Sequence, residues 1–184
     1  MEVVVPLNYN EDEFIAACQR REEWALKRVY EENFSILMSV CMRFASNTED
    51  ALDLLHEGFL KVIKNIDKYQ QSSSLSSWLR RVMVNSCIDN YRKEVRRRTD
   101  DLEQVYTLQT LDPDAVSSYT EQEILLCIQQ LTPSYRAIFV LYAIEGYSHK
   151  EIANQLGITE STSRSNLVKA RYKLQELLQN LNLR

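Results

Sequence analysis

The chain has 184 residues, 45% of them hydrophobic, and a formal net charge of −4. That length fits one ordinary domain or two small ones, and the apolar content suffices for packed cores, which excludes wholesale disorder. Four cysteines (Cys18, Cys41, Cys87, Cys127) lie at least 23 positions apart with no CxxC pair, which excludes a structural zinc site or a small disulfide framework and reads as reduced, buried thiols.

No basic start followed by a long apolar run opens the chain, and no stretch approaches the ~20 apolar residues of a membrane span, so the expectation is a cytoplasmic protein without membrane insertion. With three Gly and three Pro, the sequence has few breakers between long periodic stretches, and an all-α protein is expected. The net charge hides an alternation. Residues 1–57 sum to −7, residues 58–99 to +7, residues 100–124 to −7 and residues 125–184 to +3. A basic block between two acidic ones is the pattern of a polyelectrolyte-binding surface within an acidic chain.

In chain order, helical periodicity begins near Glu11, with Asn10 and Glu13 spaced as a capping pair. Phe14, Ile15, Cys18, Trp24, Ala25, Val29, Phe34, Leu37, Val40 and Phe44 supply the apolar positions of one or two helices. Asn47 or Thr48 caps the next, whose buried face runs through Ala51, Leu54, Leu55, Phe59, Val62, Ile63 and Ile66. The polar break Gln70, Gln71, Ser72, Ser73, Ser74 precedes a helix from about Ser76 to Arg98.

From Thr99 to about Thr120 the periodicity fails, acidic residues mix with scattered apolar ones and no basic group is present, and the stretch reads as a linker between two domains. Four helices follow from Glu121. Thr132-Pro133 is a cap with Pro at the first helical position. Ser148 and Glu151 have capping-box spacing, with Tyr147 and Ile152 as a hydrophobic staple. Gly157 stops that helix, and Thr159 or Glu160 starts the last.

Three surfaces stand out. The segment from about Ser148 to Arg171 reads as a helix-turn-helix: Ala153 is small enough for a close crossing, Gly157 allows the turn, and Leu156 and Ile158 bury beneath it. On the last helix Ser163, Leu167, Ala170, Leu174 and Leu177 form the core stripe. The other side presents Ser161, Thr162, Arg164, Ser165, Val168, Lys169 and Tyr172, short hydroxyls and basic groups suited to reading base edges and gripping phosphates.

On the basic helix, Arg81, Asn85, Asp89, Arg92 and Arg96 share one face, and Lys93, Arg97 and Arg98 widen it. The third surface, around Asp53, His56, Glu57, Lys61 and Lys64, reads as a charged docking face for another protein. Asp53 and His56 have a spacing used by metal-binding bundles, but no matching ligands appear elsewhere in the first domain, so no metal is expected. His149 reads as an exposed group beside Lys150, and Trp78 as a packing residue, the commoner use of an aromatic there than stacking on a base. No phosphate loop, nucleophile elbow or acid–base arrangement is present, and neither an enzyme nor a cofactor site is expected.

The run Asp50-Ala51-Leu52-Asp53-Leu54-Leu55-His56-Glu57-Gly58-Phe59-Leu60-Lys61-Val62 resembles the core-polymerase-binding helix, in region two, of extracytoplasmic-function (ECF) sigma factors. Trp78-Leu79-Arg80-Arg81 with Asn85 to Lys93 resembles the −10 element-binding part of that region. Leu131-Thr132-Pro133, Glu145-Gly146-Tyr147-Ser148, Glu151-Ile152-Ala153 and Ala170-Arg171 resemble region four, which binds the −35 element.

The resemblance implies two small helical domains, region two over residues 11–98 and region four over 121–184, joined by a linker over 99–120. It implies a factor that directs core RNA polymerase to promoter DNA, assists melting and catalyses nothing, with an anti-sigma factor as a further candidate partner. Asp53, His56, Glu57, Leu60 and Lys61 would meet polymerase. Gln70 to Ser74 would receive a base flipped from the non-template strand, and Arg81, Asn85, Asp89, Arg92, Lys93 and Arg96 would contact the −10 duplex. Lys150, Ser161, Thr162, Arg164, Ser165, Val168, Lys169, Arg171 and Tyr172 would hold the −35 element.

Three positions depart from the family pattern: His56 stands for a usual Gln, Ser72 to Leu75 for a loop often built with Gly and Phe, and Ser163 for a usual core Val. Two rivals remain. A helix-turn-helix activator that never joins polymerase leaves the Asp53 helix unassigned. A protein-only helical adaptor predicts no salt-dependent DNA affinity.

Overall fold

The computed structural model describes residues 10–97 and 119–182, all helix and turn with no strand among them. The linker expected over 99–120 lies almost wholly outside the described residues, as does Arg98. The helices are α1 (Glu11–Gln19), α2 (Glu23–Phe44), α3 (Thr48–Asn65), α4 (Leu75–Arg97), α5 (Glu121–Gln129), α6 (Pro133–Phe139), α7 (His149–Leu156) and α8 (Glu160–Asn182). The chain divides into two compact units, one of residues up to Cys41 with Glu49–Cys87, the other of Met42–Thr48 with the residues from Ile88 onward.

In the first unit, Asn10 closes a capping box with Glu13 at the start of α1. The break between α1 and α2 has no Gly or Pro. Arg21 takes a left-handed conformation (φ 59°) instead, and Glu22 accepts hydrogen bonds from Arg20 Nε (2.7 Å) and Trp24 Nε1 (2.6 Å) that hold the corner. The core is apolar, with Leu37, Leu55, Val62, Ile66, Leu79 and Met83 fully buried. Gly58 lets α3 and α4 come together, because a Cβ there would overlap Met83 Sδ and lie 2.8 Å from Met83 Cε. A 3₁₀ turn (Ile66–Lys68) follows α3 and delivers the chain to Tyr69 and the polar break.

In the second unit the expected stops and starts are present. Thr132 caps α6 with Pro133 at its first position. Ser148 and Glu151 form a capping box on α7, and Gly157 ends α7 in the left-handed region (φ 70°). Thr120 and Glu123 cap α5 in the same way. Helix α6 runs into a π turn (Val140–Ile144) before Gly146.

The core joins Cys127, Ile128, Leu131, Tyr135, Val140, Ala170, Leu174 and Leu178, with Phe44 packed against it. On α8 it is Leu178, not Leu177, that completes the buried stripe; Leu177 is only partly buried. Among the described residues of this unit, one cation lies inside. Arg136, 5% exposed, donates to the carbonyls of Phe44 (3.0 Å), Gln129 (2.8 Å) and Leu131 (2.8 Å) and to Ser46 Oγ (3.0 Å). Gln129 Nε2 adds a bond to the Met42 carbonyl (3.0 Å). Together these fasten the 42–48 segment to α5 and α6.

Candidate nucleic-acid interface

Helix α3 buries Ala51, Leu54, Leu55, Gly58 and Val62 and turns Asp53, His56, Glu57, Leu60 and Lys64 outward, with Lys61 half-buried at the edge. Leu60 is 67% exposed in the middle of this charged stripe. A large apolar side chain ringed by charges is the arrangement of a protein-docking face, where the apolar centre contributes burial and the charges set orientation. Among the described residues, no cluster of three or more His, Cys, Asp or Glu side chains gathers that could hold a metal ion.

The polar break and α4 form the second surface. Gln70, Gln71, Ser72, Ser73 and Ser74 are all exposed. Ser74 Oγ accepts from the Ser77 backbone N–H (3.3 Å), an N-cap interaction at the start of α4. Trp78 is half-buried and packs on Tyr69, with ring centroids 5.6 Å apart. Arg81 and Asn85 are exposed, Asp89 and Arg92 half-buried, and Lys93 exposed, on one flank of the helix. Arg92 stands 3.5 Å from Asp89 and donates through Nε to the Gln155 carbonyl of α7, so its guanidinium is engaged within the second unit. Arg96 lies within α4, but its side chain lies outside the described residues.

The third surface is the helix-turn-helix of α7 and α8. Thr159 caps α8, its hydroxyl accepting from the Thr162 N–H (3.1 Å) and lying 2.9 Å from Ser161 Oγ. Ser161, Arg164, Ser165 and Arg171 are exposed, Val168 is 43% exposed, Thr162, Lys169 and Tyr172 are half-buried, and Lys150 is exposed on α7. Ser163, Asn166, Leu167 and Ala170 face the core. The side chains expected to read DNA and those expected to pack therefore separate by face along α8.

His149 departs from the expected exposed position. Its ring stacks on Tyr142 at 4.5 Å, Nδ1 lies 3.0 Å from the fully buried Ser163 Oγ, and Arg171 sits over the Tyr142 ring at 5.8 Å. Burial pushes the imidazole pKa below its ordinary 6.5; the charges of Arg164 and Arg171 add to this, and Glu160 opposes it. The buried Ser163 hydroxyl thus has a partner from α7.

Residues that pattern reading passed over are Tyr69, Gln19, Asp12, Arg136 and Gln155. Arg136 was detectable in principle, as a charge inside the apolar run from Tyr135 to Leu141. The others make contacts far along the chain that no local period reveals.

No described helix is long and apolar enough to cross a membrane. Residues 29–97 match the sigma-70 region 2 family and residues 121–174 the sigma-70 region 4 family. The chain is 28% identical over 170 residues to the ECF RNA polymerase sigma factor SigM of Mycobacterium tuberculosis, covering 92% of this chain and 85% of that one. It is 31% identical over 144 residues to the RNA polymerase sigma factor CarQ of Myxococcus xanthus, covering 77% and 82%.

Among solved structures, the sigma factor RpoE from Bartonella quintana, crystallised with the anti-sigma factor NepR, superposes with a TM-score of 0.50 at 24% identity, covering 83% of this chain and 96% of that one. That likeness speaks for the fold. Taken together, the two matched regions in order and the similarity to CarQ and SigM over most of their lengths mean that the chain belongs to the ECF sigma factors of the sigma-70 family.

Proposed function

We propose that this chain lends promoter recognition to core RNA polymerase and helps open the promoter, performing no chemical step of its own. On this reading residues 11–98 bind polymerase and the −10 element, 99–120 link, and 121–184 bind the −35 element. The protein would work in the cytoplasm, where polymerase is.

One observation carries the reading: region two and region four occur on one chain, each presenting exposed or half-buried polar side chains at the described candidate positions. Asp53, His56, Glu57, Leu60 and Lys61 supply the polymerase face, and the exposure of Leu60 favours a protein partner there. Arg81, Asn85, Asp89, Arg92, Lys93 and Arg96 would follow the −10 duplex, with Arg92 exchanging the Gln155 carbonyl for a phosphate. The N-terminal turns of α8 (Ser161, Thr162, Arg164, Ser165, Val168, Lys169, Arg171, Tyr172), with Lys150 of α7, would lie in the major groove at −35. Gln70 to Ser74 would receive the extruded base, whose unstacking costs a few kcal/mol, a sum that a pocket can return without ATP. An anti-sigma factor is a further partner on this reading, as one is for the RpoE of Bartonella quintana.

Run-off transcription with purified core polymerase across a promoter library tests the assignment. Transcripts starting at a shared pair of elements are expected. No initiation anywhere would overturn it.

A further inference from the structure

The five residues Gln70 to Ser74 carry no apolar side chain and are all exposed, so no burial of their own fixes their shape. They are nonetheless tied at entry, middle and exit. At the entry, Tyr69 is buried (5% exposed), its carbonyl accepts from Gln19 Nε2 of α1 (3.2 Å), and its ring packs on Trp78. In the middle, Gln71 Nε2 donates to Asp12 Oδ1 of α1 (2.8 Å). Near the exit, the Tyr69 phenol donates to the Ser73 carbonyl (2.6 Å), while the Ser74 and Ser77 hydroxyls pair at 2.8 Å. Two of the three ties come from α1 and the third from a residue anchored to it. Helix α1 lies ahead of both matched family regions.

We propose that Asp12 and Gln19 of α1, together with Tyr69, are positioning residues that hold the Gln70–Ser74 loop in the shape that receives the extruded promoter base. The inference rests on the reading of that loop as the base-accepting one. Its physical basis is pre-organisation: conformational freedom surrendered when the unit folds is not lost again when the base arrives, so more of the binding free energy is left to hold the strands apart. Tyr69 is the hinge of the arrangement, because one side chain both fills the space beside Trp78 and fixes the loop four residues on.

The test uses the full chain with core polymerase and a promoter recovered from the library, offered either as duplex or with its −10 stretch already mismatched and open. Tyr69→Phe keeps the ring and removes the bond to Ser73; Asp12→Ala removes the acceptor for Gln71. Each is expected to slow strand opening on the duplex, read by a fluorescent base analogue, by roughly 3- to 10-fold, the factor of one lost hydrogen bond. On the pre-opened template the loss should be under about twofold. Asp12→Ala combined with Gln71→Ala should cost no more than Gln71→Ala alone, because the two act through one contact.

Equal losses on both templates would mean a merely structural role, and no loss on either would mean no role; both overturn the proposal. Replacing Gln71 and Ser72 together by Ala separates this from a failure of the underlying reading. If those loop changes leave duplex opening intact, the base-accepting assignment falls and the proposal with it. If they slow opening while Tyr69→Phe and Asp12→Ala do not, only the positioning role is lost.

Discussion

In the first unit the N-terminal half of α4, up to Cys87, is set by apolar contact. Gly58 of α3 lets Met83 of α4 into the space a Cβ would fill, and among the described residues Ser86 is the one buried polar side chain there. In the second unit three buried polar side chains, Arg136, Ser163 and Asn166, sit among the apolar ones. Arg136 binds four acceptors, and Ser163 meets His149 across the helix-turn-helix. Dry packing fixes how closely two helices approach and tolerates some rotation between them, whereas hydrogen bonds with defined directions also fix their angle. On the proposed function, α8 reads base edges and needs the second kind of control. On the same reading, α4 follows a backbone and can work with the first.

Breaking the polar arrangement should give the largest effect. Arg136→Leu leaves the Phe44, Gln129 and Leu131 carbonyls without their donor, and a loss of about 3–5 kcal/mol in stability is expected by urea denaturation of the full chain. A loss below about 1 kcal/mol would mean that the apolar core alone holds the 42–48 segment. The dry crossing should be more forgiving. Gly58→Ala gains helix propensity of about 1 kcal/mol but overpacks against Met83, a flexible side chain that can move, so a net cost of about 1–2 kcal/mol is expected. Combined with Met83→Ala it should cost clearly less than the sum of the two changes, since the added methyl then enters vacated space.

The comparison is sharpened by a surface change that ought to leave both cores alone. Arg92→Ala is expected to weaken −10 engagement and lower the salt slope of promoter binding by about 1, with polymerase affinity unchanged. Loss of polymerase binding instead would refute the division of labour between α3 and α4.

The smallest effect concerns His149. Its folded-state pKa is depressed by burial, so as the pH falls below 6.5 the unfolded chain takes up a proton that the folded one resists. Stability from this group is therefore fully present above that pH and declines until the folded pKa is reached. Urea midpoints measured between about pH 7.5 and about 5.5 should fall more steeply for the native chain than for His149→Gln. Identical slopes would mean that the ring is free of Tyr142 and Ser163 in solution.

Helix existence and most helix ends were legible in the sequence, because caps are local: Asn10 with Glu13, Thr132 with Pro133, Ser148 with Glu151, and Gly157 each act within four residues. The outward face of α8 was legible for the same reason, since Ser163, Leu167, Ala170 and Leu174 set a period that puts Ser161, Arg164, Ser165 and Val168 on the other side. The corner at Arg21 was not, because no breaker marks it and its stability comes from Glu22 reaching both Arg20 and Trp24.

By itself, then, the sequence determined which segments coil and which of their faces are apolar, both governed by spacings of one helical turn, and where the charge alternates, which composition along the chain shows directly. Only the tertiary structure decided that Tyr69 and α1 brace the polar loop, that Arg92 rests on Gln155, that Arg136 is a buried anchor, and that His149 has a partner. Apart from Tyr69 to Ser73 and Arg136 to Leu131, those contacts join residues 7 to 92 positions apart. Their formation depends on how helices pack, which no local period encodes.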